Sequence, residues 1–241
     1  MSLSGFLHDT FGPAGHPRPA APARTAPRVR VAPLHDIAFG WTGGAAPLEL
    51  PVANLSATGL ALMRSGLPEQ TLRGPALTGQ LRLGARELEV ALGVVHVSHV
   101  VVGCCFLAPG PALVDAINAH LATELLALEM RRVEEASLAH HGTGSPHWFH
   151  GRESSELYYV EQGGEILRFR LSFLGNYLEG GPDLPVRFGV VTRDRELASS
   201  HGGVHWFRKI NAEQLGTTIR FVSSIPGLDP AHRDGILKLI C

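Results

Sequence analysis

The chain has 241 residues, 44% of them hydrophobic and 18% charged, which is enough for one large or two small packed domains. Its formal net charge of −1 argues against the broad basic surface that a nucleic-acid polymer requires, so an anionic ligand would need a local cluster of arginines. Three cysteines, two of them adjacent, make no disulfide framework and indicate a reducing cytoplasm. No window approaches 18 uninterrupted apolar residues, so no membrane span is expected.

The N-terminal half begins with a tail and continues with short strands. Residues 1–23 include the run GPAGHPRPAAPA, whose proline and glycine density predicts a flexible tail. From Arg28 onward the run RVRVAPL alternates charge with valine, which predicts an edge strand. Further apolar runs separated by glycine turns follow up to residue 110. This pattern predicts a small antiparallel barrel or sandwich.

A connecting helix is predicted over residues 111–144. Prolines precede this segment and glycines close it, as at helix boundaries. Five apolar residues recur in it at helical spacing: Leu113, Ile117, Leu121, Leu125 and Leu128. The pattern predicts a long helix of about six turns that packs on the barrel and leads into a second unit.

The second unit, residues 145–241, is predicted to be an α+β domain with an antiparallel sheet. The run ELYYVEQGGEILRFRLSFLG predicts a hairpin that turns at Gly163–Gly164. Asp229 and Pro230 predict the start of a short final helix. In the second hairpin strand, alternation separates an apolar face from a solvated one: Leu167, Phe169, Leu171 and Phe173 on the first, Arg168 and Arg170 on the second. The predicted fold class is therefore mainly β, with a barrel, a connecting helix and this domain.

Two short elements of the N-terminal half carry the candidate site. Arg24 and Arg28 stand four residues apart just before the first strand, and their guanidinium forks suit phosphate oxygens or the edge of guanine. The run NLSATG places Asn54, Ser56 and Gly59 in a turn that offers an amide, a hydroxyl and backbone donors. Gly59 would permit a positive φ or a close approach by a ligand. Together these elements suit a compact, guanine-bearing phosphodiester.

In this order the elements resemble the PilZ domain family. That family combines an RxxxR arm, a (D/N)xSxxG turn and a barrel strand ending in a GxxF-like element, here Gly103 and Phe106 in VVGCCF. The resemblance covers residues 24–110. It implies a six-stranded antiparallel barrel whose usual ligand is cyclic di-GMP.

The resemblance also implies roles for individual residues. Arg24 and Arg28 would clasp guanine edges and phosphates from a flexible arm. Asn54 and Ser56 would meet a second guanine, while Gly59 shapes the turn. Proline at position 27 stiffens the arm and restricts the residue before it to extended conformations.

The implied function is that of a cytoplasmic cyclic di-GMP receptor without enzymatic activity. Binding would be relayed by conformational change to the C-terminal domain or to a protein partner, with no further cofactor, and a homodimer is left open. Some members of the family bind no nucleotide and act through proteins. A nucleotide-independent adaptor of the same fold is therefore the alternative.

The 13 histidines raise a third hypothesis, a hydrolase or metalloenzyme. Cys104 and Cys105 lack the spacing of a zinc clip and lie in an apolar run that predicts a buried strand, where a thiol is inert. Three histidine pairs lie outside any HExxH context: His140/His141, His147/His150 and His201/His205. No metal is expected from these patterns.

Overall fold

The computed structural model describes residues 26–43, 47–65, 67, 74, 76–134, 143–192 and 203–241. These residues form two antiparallel sheets with helices between and after them, which confirms the predicted fold class. The predicted tail over residues 1–23 and the first arginine of the arm, Arg24, lie outside the described residues.

The first sheet closes into a barrel. Its strands are β1 (Val29–Arg30), β2 (Ile37–Trp41), β3 (Leu48–Ser56), β4 (Gly59–Met63), β5 (Leu77–Leu83), β6 (Arg86–Val97) and β7 (Val101–Phe106). Six strands follow each other in the order β3-β2-β5-β6-β7-β4, and β4 pairs with β3 to close the ring. Strand β1 adds to β3, and a 3-10 turn (Pro33–His35) joins β1 to β2. The six-stranded barrel implied by the family resemblance is confirmed.

Strand alternation fills the barrel with aliphatic side chains. In β5, Leu77, Leu81 and Leu83 are buried, whereas Thr78 and Gln80 between them are exposed. This period-2 pattern is the one by which a strand presents one face to a core and the other to water. The fully buried Ile117, from the helical segment after β7, joins the same core.

The prediction of one connecting helix over residues 111–144 was wrong in the extent of the helix. The structure has two helices instead, α1 (Pro111–His120) and α2 (Ala122–Leu128), with a break at Leu121. The apolar repeat runs through the break because all five of its members pack in or against the barrel core: Leu113, Ile117, Leu121, Leu125 and Leu128. The repeat therefore reports burial against the barrel and not a continuous helix.

The second sheet is a seven-stranded antiparallel meander in chain order. Its strands are β8 (Arg131–Val133), β9 (Ser145–His150), β10 (Glu156–Gln162), β11 (Glu165–Phe173), β12 (Asn176–Gly181), β13 (Leu184–Thr192) and β14 (Gly203–Phe207). Helices α3 (Ala212–Ser224) and α4 (Pro230–Ile240) pack on one face of the sheet, where Phe221 stacks on Phe173 at 4.3 Å between ring centroids. The aromatic pair anchors α3 on the sheet.

The predicted hairpin and the final helix are confirmed, with one change of register. Gly163 and Gly164 turn between β10 and β11 with φ of 62° and 86°. A bulge between Val160 and Glu161 shifts the pairing. As a result Ile166 is buried, and the half-buried Leu167 does not take the core position predicted for it. At the start of α4, the side chain of Asp229 accepts hydrogen bonds from two backbone N–H groups.

Candidate functional site

The pairing of β1 with β3 brings the predicted arm beside the predicted turn. Val29 pairs with Leu55, and Arg30 pairs with Asn54. Val29 is buried and anchors the short strand, while Arg28 and Arg30 on either side of it are exposed. Because Arg28 directly precedes Val29 in an antiparallel pair, it comes to the end of β3 where the NLSATG turn begins.

Ser56 holds the turn through its hydroxyl group. The side chain is 1% exposed, and its Oγ donates a hydrogen bond to the carbonyl of Gly59 at 3.0 Å. The same oxygen lies 3.3 Å from Oγ1 of Thr58. The hydroxyl is therefore engaged within the barrel, and it fixes the shape of the turn.

Gly59 is required by a close approach of two strands. It is not one of the described residues with positive φ, so the first of the two alternatives expected for it, a positive φ, does not occur. A Cβ atom at this position would lie 2.9 Å from Cα of Cys105 and closer still to the carbonyl oxygen of Cys104. Strand β7 therefore occupies the space that a side chain would need.

Asn54 has an unused acceptor. Its Oδ1 atom is buried and has no hydrogen-bond partner among the described residues. An unsatisfied buried acceptor costs about 1–3 kcal/mol, so an N–H donor brought to this atom would be bound favourably. The N–H groups of a guanine edge and of an arginine side chain are both donors of this kind.

A groove of about 650 Å³ opens beside β1 and β3. Arg30 and Arg82 line it, and Arg82 is held by Asp36 at 2.5 Å and by Glu49 at 3.4 Å. Arg30 has no carboxylate partner among the described residues, which leaves it available to an anion. Sequence reasoning missed Asp36 and Arg82, because they are separated by 46 positions and belong to no local motif.

A buried charged cluster connects the barrel to the C-terminal helices. Glu124 of α2 is 0% exposed, and Arg220 of α3 donates to both of its carboxylate oxygens, at 2.8 Å from Nη2 to Oε2. Nη2 also donates to the carbonyl of His120 at 2.8 Å. Nε2 of His35, in the 3-10 turn, lies 3.1 Å from Oε1 of Glu124. This cluster is the most direct charged contact between the two halves of the described chain.

The ionisation of Glu124 reflects these contacts. Burial alone would raise the pKa of its carboxyl group, but hydrogen bonds from His35 and Arg220 and the charge of Arg220 outweigh burial. They lower the pKa to about 2. Nδ1 of His35 lies 2.9 Å from the backbone nitrogen of Ala32 and 3.1 Å from its carbonyl oxygen, which turns Nε2 toward Glu124. Glu124 is therefore a buried carboxylate at neutral pH.

The two adjacent cysteines of β7 lie in the barrel wall. Burial, together with the neighbouring Cys105, raises the pKa of the Cys104 thiol to about 12; the predicted burial is thus confirmed for Cys104, whereas Cys105 is only half-buried. Within the described ranges, no three His, Cys, Asp or Glu side chains are placed to hold a metal ion. None of the described helices is long and apolar enough to cross a membrane.

Comparisons with known proteins give partial structural likenesses only. No family model matches the chain, and a search of curated proteins finds no relative. Among solved structures, the complex of MrkH from K. pneumonia with cyclic di-GMP is similar over 44% of this chain and 54% of that chain, at 21% identity and a TM-score of 0.38. The match thus spans about half the length of MrkH, and a TM-score of this size carries no argument for this chain.

Proposed function

We propose that the chain is a cyclic di-GMP receptor of the PilZ type, with its site in a domain of residues 24–110. The observation that supports it most is the register of β1 on β3, which brings Arg28 and Arg30 beside the end of β3, the strand that contains Asn54. Both arginines are exposed, and Asn54 has an amide acceptor without a partner among the described residues. Cyclic di-GMP offers phosphate oxygens to the guanidinium groups and guanine N–H donors to the amide acceptor.

The site residues divide into contact residues and positioning residues in this proposal. Arg24 and Arg28 contact phosphates and guanine edges, and Asn54 accepts a hydrogen bond from a guanine. Ser56 and Gly59 act through the turn, since the hydroxyl of Ser56 is already bonded and Gly59 lies against β7. Folding of the arm onto the ligand costs conformational entropy, which makes the arm suitable as a switch.

The relay to the second domain, proposed to span residues 145–241, passes through the 3-10 turn. Pro33 of this turn lines the groove beside the site, and His35 at its other end contacts Glu124. Glu124 in turn is bonded to Arg220 of α3. A ligand that displaces the turn would alter this contact and so change how the barrel meets the C-terminal helices.

Isothermal titration calorimetry of the full chain with cyclic di-GMP tests the receptor proposal. We expect saturable heat with the wild type, and a loss of about 2 kcal/mol or more, roughly 30-fold in Kd, for Arg24→Ala and for Arg28→Ala. Asn54→Ala should weaken binding by about tenfold, because one hydrogen bond to a buried acceptor is lost. Cyclic di-AMP serves as the ligand control, because it lacks the guanine edge.

The matched control is Arg208→Ala, which removes an exposed arginine from the C-terminal domain. It should bind cyclic di-GMP as the wild type does. Absence of heat with the wild type at ligand concentrations well above micromolar would contradict the receptor proposal. Equal losses in Arg28→Ala and Arg208→Ala would show that the arm has no specific role.

The second candidate function is the nucleotide-independent adaptor. One observation favours it: Ser56 and Gly59 are both explained by contacts within the barrel, so a barrel that binds no nucleotide would need them as well. The adaptor predicts that binding to a protein partner is the same with and without cyclic di-GMP. The receptor predicts that the ligand changes that affinity.

A further inference from the structure

The second sheet has one face that no described element covers. Helices α3 and α4 pack on the face that carries Phe149, Phe169 and Leu178. Alternation turns the intervening side chains to the opposite side, which we name the outer face. Pairing aligns five of them in a row across β9 to β13: Trp148, Tyr158, Arg170, Glu179 and Arg187. All five are half-buried or exposed.

Two depressions adjoin on the outer face and share Arg170. The first, of about 380 Å³, has aromatic walls from Trp148, Tyr158 and Tyr177. The second, of about 410 Å³, is lined by Arg168 and Arg187 as well as Arg170. One part of the surface therefore offers flat apolar walls, and the adjoining part offers three guanidinium groups.

The outer face has more arginines than carboxylates available to pair with them among the described residues. Glu179 is bonded to Arg187 at 2.6 Å, and Glu156 lies 3.4 Å from Nδ1 of His150. Both glutamates thus have partners. Arg168 and Arg170 are exposed, and neither has a carboxylate partner among the described residues. Two adjacent guanidinium groups without counter-charges attract carboxylates from outside the chain.

We propose that the outer face docks an acidic segment of a partner protein. Carboxylates of that segment pair with Arg168 and Arg170, and an apolar side chain next to them enters the depression between Tyr158 and Tyr177. Tryptophan, tyrosine and arginine are the residues that contribute most to protein interfaces. Arg187 is held in place beforehand, 4.0 Å above the ring of Trp206, which lowers the entropy lost on binding. The proposal does not depend on cyclic di-GMP.

Single-stranded nucleic acid fits this face less well than an acidic peptide does. Binding of a nucleic acid requires that several of its phosphates be neutralised, whereas the outer face has two arginines without counter-charges among the described residues. Bases also need open ring faces on which to stack. Guanidinium groups already lie over two of the rings here, Arg187 over Trp206 and Arg168 over Tyr158 at 5.9 Å.

Selection from a random peptide library displayed on phage, with the immobilised full chain as bait, tests the proposal. We expect the enriched peptides to be rich in Asp and Glu and to lose at least tenfold in affinity toward Arg170→Glu and Arg168→Glu. They should bind Arg208→Glu as they bind the wild type, because that exposed arginine lies off the sheet. Circular dichroism and Tm show whether each variant is folded.

Three outcomes would overturn the proposal. They are no enrichment over empty matrix, enriched peptides that lack acidic residues, and acidic peptides that bind Arg170→Glu as tightly as Arg208→Glu. Fluorescence anisotropy with a labelled 20-nucleotide oligothymidine supplies the nucleic-acid arm. Tight binding that Arg170→Glu abolishes would replace the acidic segment by single-stranded nucleic acid as the occupant of this face.

Discussion

Asn54 and Gly59 belong to the two strands of one hairpin, β3 and β4, but their surroundings differ. Asn54 has a buried oxygen without a partner, whereas Gly59 lies against the backbone of β7. The local pattern NLSATG was sufficient to single out both residues. It could not predict that β7 is the neighbour of Gly59, because Cys105 lies far along the chain and the contact exists only once the barrel closes.

Substitution of Gly59 by alanine tests this close approach. The added methyl group must displace the β7 backbone, so we expect Gly59→Ala to lower the free energy of unfolding by about 1–3 kcal/mol in urea denaturation. Gly216→Ala is the matched control, because nothing lies within 4 Å of a Cβ there and the site is inside α3. Alanine should stabilise that helix by about 0.5–1 kcal/mol, and a loss of similar size in both variants would contradict the account.

Among secondary-structure elements, those determined by local sequence were predicted correctly, whereas features that depend on contacts between distant residues were not. The hairpin of β10 and β11 was predicted because its turn chemistry and its alternation are both local. The long helix was wrong because the repeat through Leu121 reports which side chains pack on the barrel, and such a pattern does not show whether the backbone between them is one continuous helix. The bulge at Leu167 of β11 was also missed, because it changes the pairing with β10 without changing the composition of either strand.

A pair of alanine variants tests the shifted register of β11. Ile166 is 5% exposed in the core of the second sheet, so Ile166→Ala should lower the free energy of unfolding by about 2–5 kcal/mol. Leu167 is half-buried, so Leu167→Ala should cost clearly less than Ile166→Ala. Both values come from urea titrations, and the reverse order would show that the unbulged pairing is the correct one.

For the whole molecule, the cluster of His35, Glu124 and Arg220 connects three elements that no sequence pattern associates. Glu124 and Arg220 are 96 positions apart, and neither belongs to a recognisable motif. A buried carboxylate on a helix between two units is tolerated only when hydrogen-bond donors from the surrounding elements reach it. This cluster therefore specifies how the barrel and the second sheet are joined.

Removal of the buried charge should destabilise the full chain. Glu124→Gln leaves Arg220 without its counter-charge in a largely buried position, and we expect a loss of about 3 kcal/mol in the free energy of unfolding. Glu129→Gln is the control, since its partner Arg152 is exposed and surface pairs contribute about 1 kcal/mol or less. Equal effects of the two substitutions would contradict a specific role for the cluster.

The same carboxylate predicts a pH dependence. The pKa of Glu124 is lowered from 4.5 to about 2 in the folded chain, so its stabilisation is present above pH 4.5 and is lost as the pH falls toward 2. The wild type should therefore exceed Glu124→Gln in stability at pH 6, and the difference should shrink between pH 4.5 and pH 3. Urea titrations of both proteins across this range measure the difference. The other carboxylates affect the stability of both proteins equally, so they cancel in this difference. A constant difference would contradict the assigned ionisation.

The central claim, that Arg28 and Asn54 form part of a cyclic di-GMP site, is tested most directly by calorimetric titration of the wild type and Arg28→Ala. We expect saturable heat for the wild type and binding at least about 30-fold weaker for the variant. A wild type that gives no heat, or a variant that binds as tightly as the wild type, would contradict it.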